Sequence, residues 1–137
     1  MGLKIQLIKD GKVVLDLPLS IDEWQPESLQ RELQSLEEDI QRIQTIHDVL
    51  SNETRIRILC ELVRTLDCRF SELMADLGAN QKIVSDGLRR MTKMYLVKRV
   101  EKHPRDVHYN PSPLGFASLA TCLIMRRILD EIEQSMR

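Results

Sequence analysis

The side chains of this 137-residue chain that could do chemistry cluster late, in the stretch "LGANQKIVSDGLRRM". Ile83, Val84, Leu88 and Met91 recur there at helical spacing and are expected to face inward. That leaves Gln81, Lys82, Ser85, Asp86 and Arg89 on the outer side. Arg90, Lys93, Lys98, Lys102 and Arg105 follow closely. Residues 78–110 hold eight bases against three acids, a local charge of +5 in a chain whose net charge is −1. A basic segment inside a neutral protein is how a localised phosphate-binding face would look. Asp86 is the dissenting anion, and Gly87 costs about 1 kcal/mol relative to Ala in a helix interior.

Catalysis finds no comparable set. There is no Gly-rich phosphate loop, no pair of carboxylates in an apolar setting and no triad-like group, and the three histidines are scattered. No enzyme activity, metal or cofactor is expected. Cys60, Cys68 and Cys122 cannot all pair within one chain and lie in helical patterns, which favours a reducing, cytoplasmic setting. The opening "MGLKIQLIKDGK" lacks the apolar core and cleavage site of a signal peptide. The longest uncharged apolar-rich stretch, 114–125, is 12 residues, short of the ~20 a spanning helix needs. No membrane partner is therefore expected.

The elements that must position the basic stretch can be read in order. Residues 1–25 form a β-hairpin and connector. Leu3, Ile5 and Leu7 alternate with Lys4 and Gln6, Val13, Leu15 and Leu17 alternate with Val14 and Asp16, and Asp10-Gly11 supplies the positive φ of a type I′ turn. Pro18 ends the second strand. A hairpin alone is marginal in water, so it must pack on the body or on another subunit. Residues 26–50 form a helix opened by Pro26 and Glu27. Leu29, Leu33, Leu36, Ile40, Ile43, His47 and Leu50 alternate at spacings of four and three, a heptad coiled-coil seam suited to pairing between subunits. His47 reads as a packed or register-setting polar residue rather than a metal ligand. Residues 20–50 are acidic, eight acids against two bases.

Next comes a helix capped by Ser51 or Asn52, with Ile56, Leu59, Leu62, Val63 and Leu66 on its apolar face. A compact helix follows, with Ser71 as N-cap, Leu73, Met74 and Leu77 buried, and Gly78 as stop. The outer residues above belong to a helix spanning 80–94 with Asn80 as N-cap. Two short helices across Gly78-Ala79 make a helix-turn-helix. Residues 98–110 read as two strands about His103-Pro104-Arg105-Asp106, with Pro104 opening a type I turn and Val100, Val107 and Tyr109 facing the core. Residues 51–111 thus form one winged helix-turn-helix. Ser112 and Pro113 start a final helix over 112–137. Its apolar surface, Leu119, Leu123, Ile128 and Ile132 among it, is wider than one small domain covers, and it reads as a second dimerisation element. The fold class expected is mainly α with small β.

Over "LSNETRIRIL", "FSELMADLGANQKIVSDGLRRMTKMYLV" and "HYNPSPLG", residues 50–115, the sequence resembles the ArsR-type winged helix-turn-helix transcriptional regulators of bacteria and archaea. The resemblance implies a homodimer on double-stranded DNA. It implies that Gln81, Lys82, Ser85 and Arg89, behind the Asn80 N-terminus, meet the major groove, and that the wing lies along phosphate or in the minor groove. The residue types suit this. Gln can bond adenine twice, Arg can do so to guanine, and Arg90, Lys93, Lys98, Lys102 and Arg105 suit phosphates. Metal sensing is not carried over. Arg69 and Ser71 stand at the positions of the family's Cys-x-Cys pair, with Cys68 displaced by one. Arg69 would stabilise a thiolate at Cys68, against the plainer reading of an unreactive cysteine. The competing reading of the whole chain is a winged-helix protein-interaction module that no longer binds DNA, its hairpin extending a partner's sheet. Target site and effector are not legible.

Overall fold

The computed structural model describes residues 3–137. Met1 and Gly2, at the start of the expected hairpin region, lie outside the described residues. The chain divides into two compact units, residues 1–43 and 44–137.

The first unit opens with strands β1 (Lys4–Lys9) and β2 (Lys12–Pro18), paired antiparallel with Ile5 opposite Leu17 and Leu7 opposite Leu15. Asp10 and Gly11 take φ of 53° and 77°, the two positive values of a type I′ turn. The register slips by one residue after Leu7. The hairpin is less covered than its alternation suggests: Leu7, Ile8, Val13 and Val14 are all exposed, while Ile5, Leu15 and Leu17 are half-buried. The Trp24 indole N–H donates to the Pro18 carbonyl at 2.7 Å and ties the strand end to the connector.

The heptad stretch expected as one helix is two: α1 (Pro26–Glu38) and α2 (Ile40–Leu50). Asp39 leaves helical geometry at φ −113°, ψ 18°, and its N–H reaches back to Leu36 O. The cause is electrostatic. Glu37, Glu38 and Asp39 crowd the negative end of the α1 dipole, whereas an acid just ahead of α2 meets a positive one. Leu33, Leu36, Ile40 and Ile43 stay exposed, Leu29 is half-buried, and His47 is exposed.

The second unit is the winged helix. Helix α3 (Glu53–Thr65) starts at Asn52, whose side chain accepts the Arg55 N–H at 3.1 Å. It ends at Leu66 with φ of 66°. Leu66 is therefore an exposed cap and not part of the apolar face. Ile58 takes the buried place instead, beside Leu59 and Leu62. Helix α4 (Phe70–Leu77) begins two residues earlier than expected, with Arg69 and not Ser71 at the N-cap. The Glu72 carboxylate accepts the Arg69 N–H, and Ser71 lies inside the first turn rather than capping it. Gly78 closes α4 at φ 60°. Helix α5 (Gln81–Lys93) follows, then β4 (Val97–His103) and β5 (Asp106–Pro111), with β3 (Cys68–Arg69) completing a sheet of order β3-β5-β4. Ile58, Leu59, Leu62, Cys68, Leu73, Val84, Leu88, Met91, Leu96 and Val97 form the core. Each large aliphatic there contributes about 1.5–3 kcal/mol by leaving water.

The last helix, α6 (Pro113–Ser135), is anchored at Ser112. The Ser112 N–H donates to Leu96 O at 3.0 Å and its hydroxyl to Tyr95 O at 2.5 Å, while the same hydroxyl oxygen accepts the Gly115 N–H at 3.0 Å. A Cβ on Gly115 would sit 2.2 Å from Leu96 O, so only glycine lets α6 start here. Beyond this anchor Leu123 and Ile132 are exposed, and Leu119 and Ile128 half-buried.

Candidate nucleic-acid interface

Helix α5 carries the site. The Asn80 side-chain Oδ1 accepts the N–H groups of Lys82 at 2.8 Å and Ile83 at 3.4 Å, so its capping role is direct. Val84, Gly87, Leu88 and Met91 are buried beneath the helix. Ile83 departs from expectation and is 52% exposed. Gly87 takes the place against α3 instead. A Cβ there would lie 3.1 Å from Ile58 Cδ1 and 3.3 Å from Arg55 Cγ. The glycine allows α5 to pack closely on α3.

The outer side is as expected: Gln81, Lys82, Ser85 and Arg89 are exposed. Asp86 is not a free anion. It accepts from Arg89 Nη2 at 2.8 Å, one turn along the same helix. Asn80, Gln81, Lys82, Ser85 and Asp86 surround one shallow cleft of about 410 Å³. Ser85, Arg89 and Lys93 join Thr92, Arg99 and Tyr109 around a second, of about 330 Å³, between α5 and the sheet. Arg90 lies apart from Lys93, in a third cleft with Asn52, Arg55, Ile83, Gly87 and the Asp86–Arg89 pair. Burial, and then the nearby Arg90 charge, lower the pKa of Arg55. The Arg55 guanidinium donates to the carbonyls of Val49 and Asp48 at the end of α2. Arg55, Arg99 and Tyr109 were not legible as site residues, because α3 and the wing reach α5 only through the tertiary fold.

The wing supplies Lys98, exposed on β4, and Arg105, exposed at the tip. Arg105 has φ of 69°. A positive φ at the second central position makes the Pro104-Arg105 turn type II rather than the expected type I, a place that favours glycine. Val100 is 39% exposed rather than facing the core, while Val107 and Tyr109 are half-buried. Lys102 is not a free cation: its Nζ lies 2.9 Å from Asp67. His108, buried and unanticipated, sets Nδ1 3.1 Å from Asp67 and Nε2 3.0 Å from Asp106, and Arg69 Nε lies 3.3 Å from Asp106. The hydrogen bond from Lys102 is the first cause holding the Asp67 carboxyl below its usual value, with His108 adding to it. This cluster fixes the wing root.

Arg69 faces Asp106 and not the Cys68 thiol, which is buried and pushed up in pKa by desolvation and by Glu72 and Asp76. Only a side-chain hydrogen bond from Thr65 acts in the opposite direction, and burial outweighs it. Among the described residues no group of His, Cys, Asp and Glu could hold a metal ion, and no helix is long and apolar enough to cross a membrane.

Residues 52–99 match the family model described as bacterial regulatory protein, arsR family. An ArsR-like transcriptional regulator from Rhodococcus sp. RHA1 is similar at a TM-score of 0.51 and 27% identity, over 71% of this chain and 88% of that one. Reduced HlyU from Vibrio cholerae N16961 gives 0.54 and 24%, over 66% and 93%. The reduced form of the transcriptional regulator YodB from B. subtilis gives 0.57 and 21%, over 64% and 88%. No curated protein matches the chain.

Proposed function

We propose, from the ArsR-type winged helix over residues 52–99, that this chain is a sequence-specific DNA-binding transcriptional regulator acting as a homodimer in the cytoplasm. The observation that carries the reading is the outer stripe of α5. Gln81, Lys82, Ser85 and Arg89 stand free of the core and are flanked by cations of α5 and the wing. Gln81 and Arg89 have the donor and acceptor pattern for base edges, and Lys82 and Lys93 that for phosphates. Lys98 and Arg105 extend the phosphate contact along the wing. Lys102 sets the wing's shape through Asp67. The exposed apolar faces of α1–α2 and α6 are the surfaces on which two copies would join, with two α5 helices one duplex turn apart, ~34 Å.

The test is a titration of duplex fragments at several salt concentrations. Binding should weaken steeply with salt, and the double variant Lys82→Glu/Arg89→Glu should abolish it. A wild-type protein that binds no duplex even at low salt would end the reading. One observation favours the protein-interaction alternative: Leu7, Ile8, Val13 and Val14 of the hairpin are exposed together. In that case the double variant leaves partner binding intact.

A further inference from the structure

We infer that the cleft between α5 and the wing, lined by Ser85, Arg89, Thr92, Lys93, Arg99 and Tyr109, is a binding site for a phosphate-type oxyanion. Two elements build it. Residues 85, 89, 92 and 93 lie one above another on a single side of α5, because positions four and seven to eight apart share a helical face. On the sheet, Arg99 of β4 lies directly opposite Tyr109 of β5, and paired residues of neighbouring strands project from the same face. The helix therefore supplies two cations and two hydroxyls, and the sheet a third cation and a phenol.

The lining is chemically one-sided. It contains Arg89, Lys93 and Arg99 and no carboxylate. Among the described residues Lys93 and Arg99 have no ion-pair partner, and the hydroxyls of Ser85 and Tyr109 make no hydrogen bond. Arg89 is held from outside the cleft by Asp86. Thr92 has spent its proton on Leu88 O at 2.7 Å. Five donor groups thus line a space of about 330 Å³, and among the described residues all of them but Arg89, which Asp86 holds, lack an acceptor. Lys93 and Arg99 leave an excess of positive charge in the cleft that an entering anion would offset. Arg and Lys with hydroxyl donors are the set that holds phosphate oxygens. The oxyanion is a backbone phosphate, in which case the inference deepens the DNA-binding reading, or a free phosphate, in which case it stands apart from it. Arg99 and Tyr109 are the members that tie wing to helix through the ligand.

Two measurements on the full chain test this. Inorganic phosphate is titrated at constant ionic strength while the side-chain Nε–H resonances of Arg89 and Arg99 are followed by NMR, with Arg126 and Arg127 of α6 as controls. Saturable shifts at the cleft alone are expected, weakened about tenfold by Lys93→Gln or Tyr109→Phe, exposed and half-buried positions whose variants are checked for an unchanged backbone spectrum. In parallel the salt dependence of duplex binding is measured. If the source is DNA, Arg99→Gln lowers the slope of log K against log salt by about 0.9 and weakens two unrelated sequences equally. If phosphate saturates the cleft while that slope is unchanged, the ligand is a free anion and the site stands. If the wild type binds no duplex yet saturates with phosphate, the regulator reading falls and the site stands. Phosphate shifts indistinguishable from those of Arg126 and Arg127, with an unchanged slope, overturn it.

Discussion

Arg89 Nη2 lies 2.8 Å from Asp86 Oδ1 on the open side of α5. The one acid on the outer stripe therefore holds the side chain best able to read guanine. Both groups are well exposed, so the pair is worth no more than about 1 kcal/mol. Contact with a base or phosphate must compete with it.

The first prediction follows from that competition. Asp86→Ala should tighten binding to a scrambled duplex by a few-fold, and to a preferred duplex by less, so the ratio between them falls. Competition titrations with both duplexes measure it. Equal tightening on both would show that Asp86 only repels phosphate and selects nothing.

Gly115 and Gly87 should respond oppositely to alanine. At Gly115 the new methyl meets backbone, Leu96 O at 2.2 Å, and overpacking of that kind costs about 2–3 kcal/mol. At Gly87 it meets only side-chain carbons, Ile58 Cδ1 at 3.1 Å and Arg55 Cγ at 3.3 Å. The helix-propensity gain of about 1 kcal/mol offsets that crowding. Urea denaturation should place Gly87→Ala near the wild type and Gly115→Ala well below it.

The wing root should make stability depend on acid. The Asp67 carboxyl is held below its ordinary value by Lys102 and then His108, so its ionised form is favoured in the folded chain. That contribution is complete above the unfolded-state value and is lost as pH falls through the folded one. Thermal midpoints taken downward from neutral pH should therefore drop less steeply for Asp67→Asn than for the wild type. Parallel curves would remove Asp67 from the account.

Leu123 is 60% exposed on α6, and Leu36 is exposed on α1. A charge at either position leaves the winged-helix core untouched. Leu123→Glu should shift the sedimentation mass toward one chain and weaken duplex binding, and Leu36→Glu should do so through the other surface. Retention of a dimer by both variants would place the interface elsewhere.

Local chemistry made much of this fold legible. Asp10-Gly11, Asn80, Gly78 and Ser112-Pro113 each announce a turn or cap through their own backbone or side-chain preferences, and each stands where those preferences put it. What depended on neighbours distant in sequence was less legible. The leucine spacing runs straight through Asp39 because periodicity does not register charge against a helix dipole. Ile83 fits the helical pattern, but Gly87 lets α3 come so near that the space goes to Ile58. His108 alternates with core positions of its strand, yet only the fold brings Asp67 to it across 41 residues. Within the site, the α5 stripe was readable from its spacing. Arg99, Tyr109 and Arg55 were not, since each arrives from another element.

Ser112 links three parts of the molecule in one residue. It grips Tyr95 O at the close of α5, Leu96 O at the entry to β4, and the Gly115 N–H at the start of α6. Mechanically it is a fulcrum. The 23-residue α6 is a rod about 34 Å long at ~1.5 Å per residue, and a tilt of about 5° at Ser112 carries its far end through about 3 Å at that length. A clamp on the far end of α6 would therefore act through a long lever arm on the backbone of Tyr95 and Leu96, which follows α5.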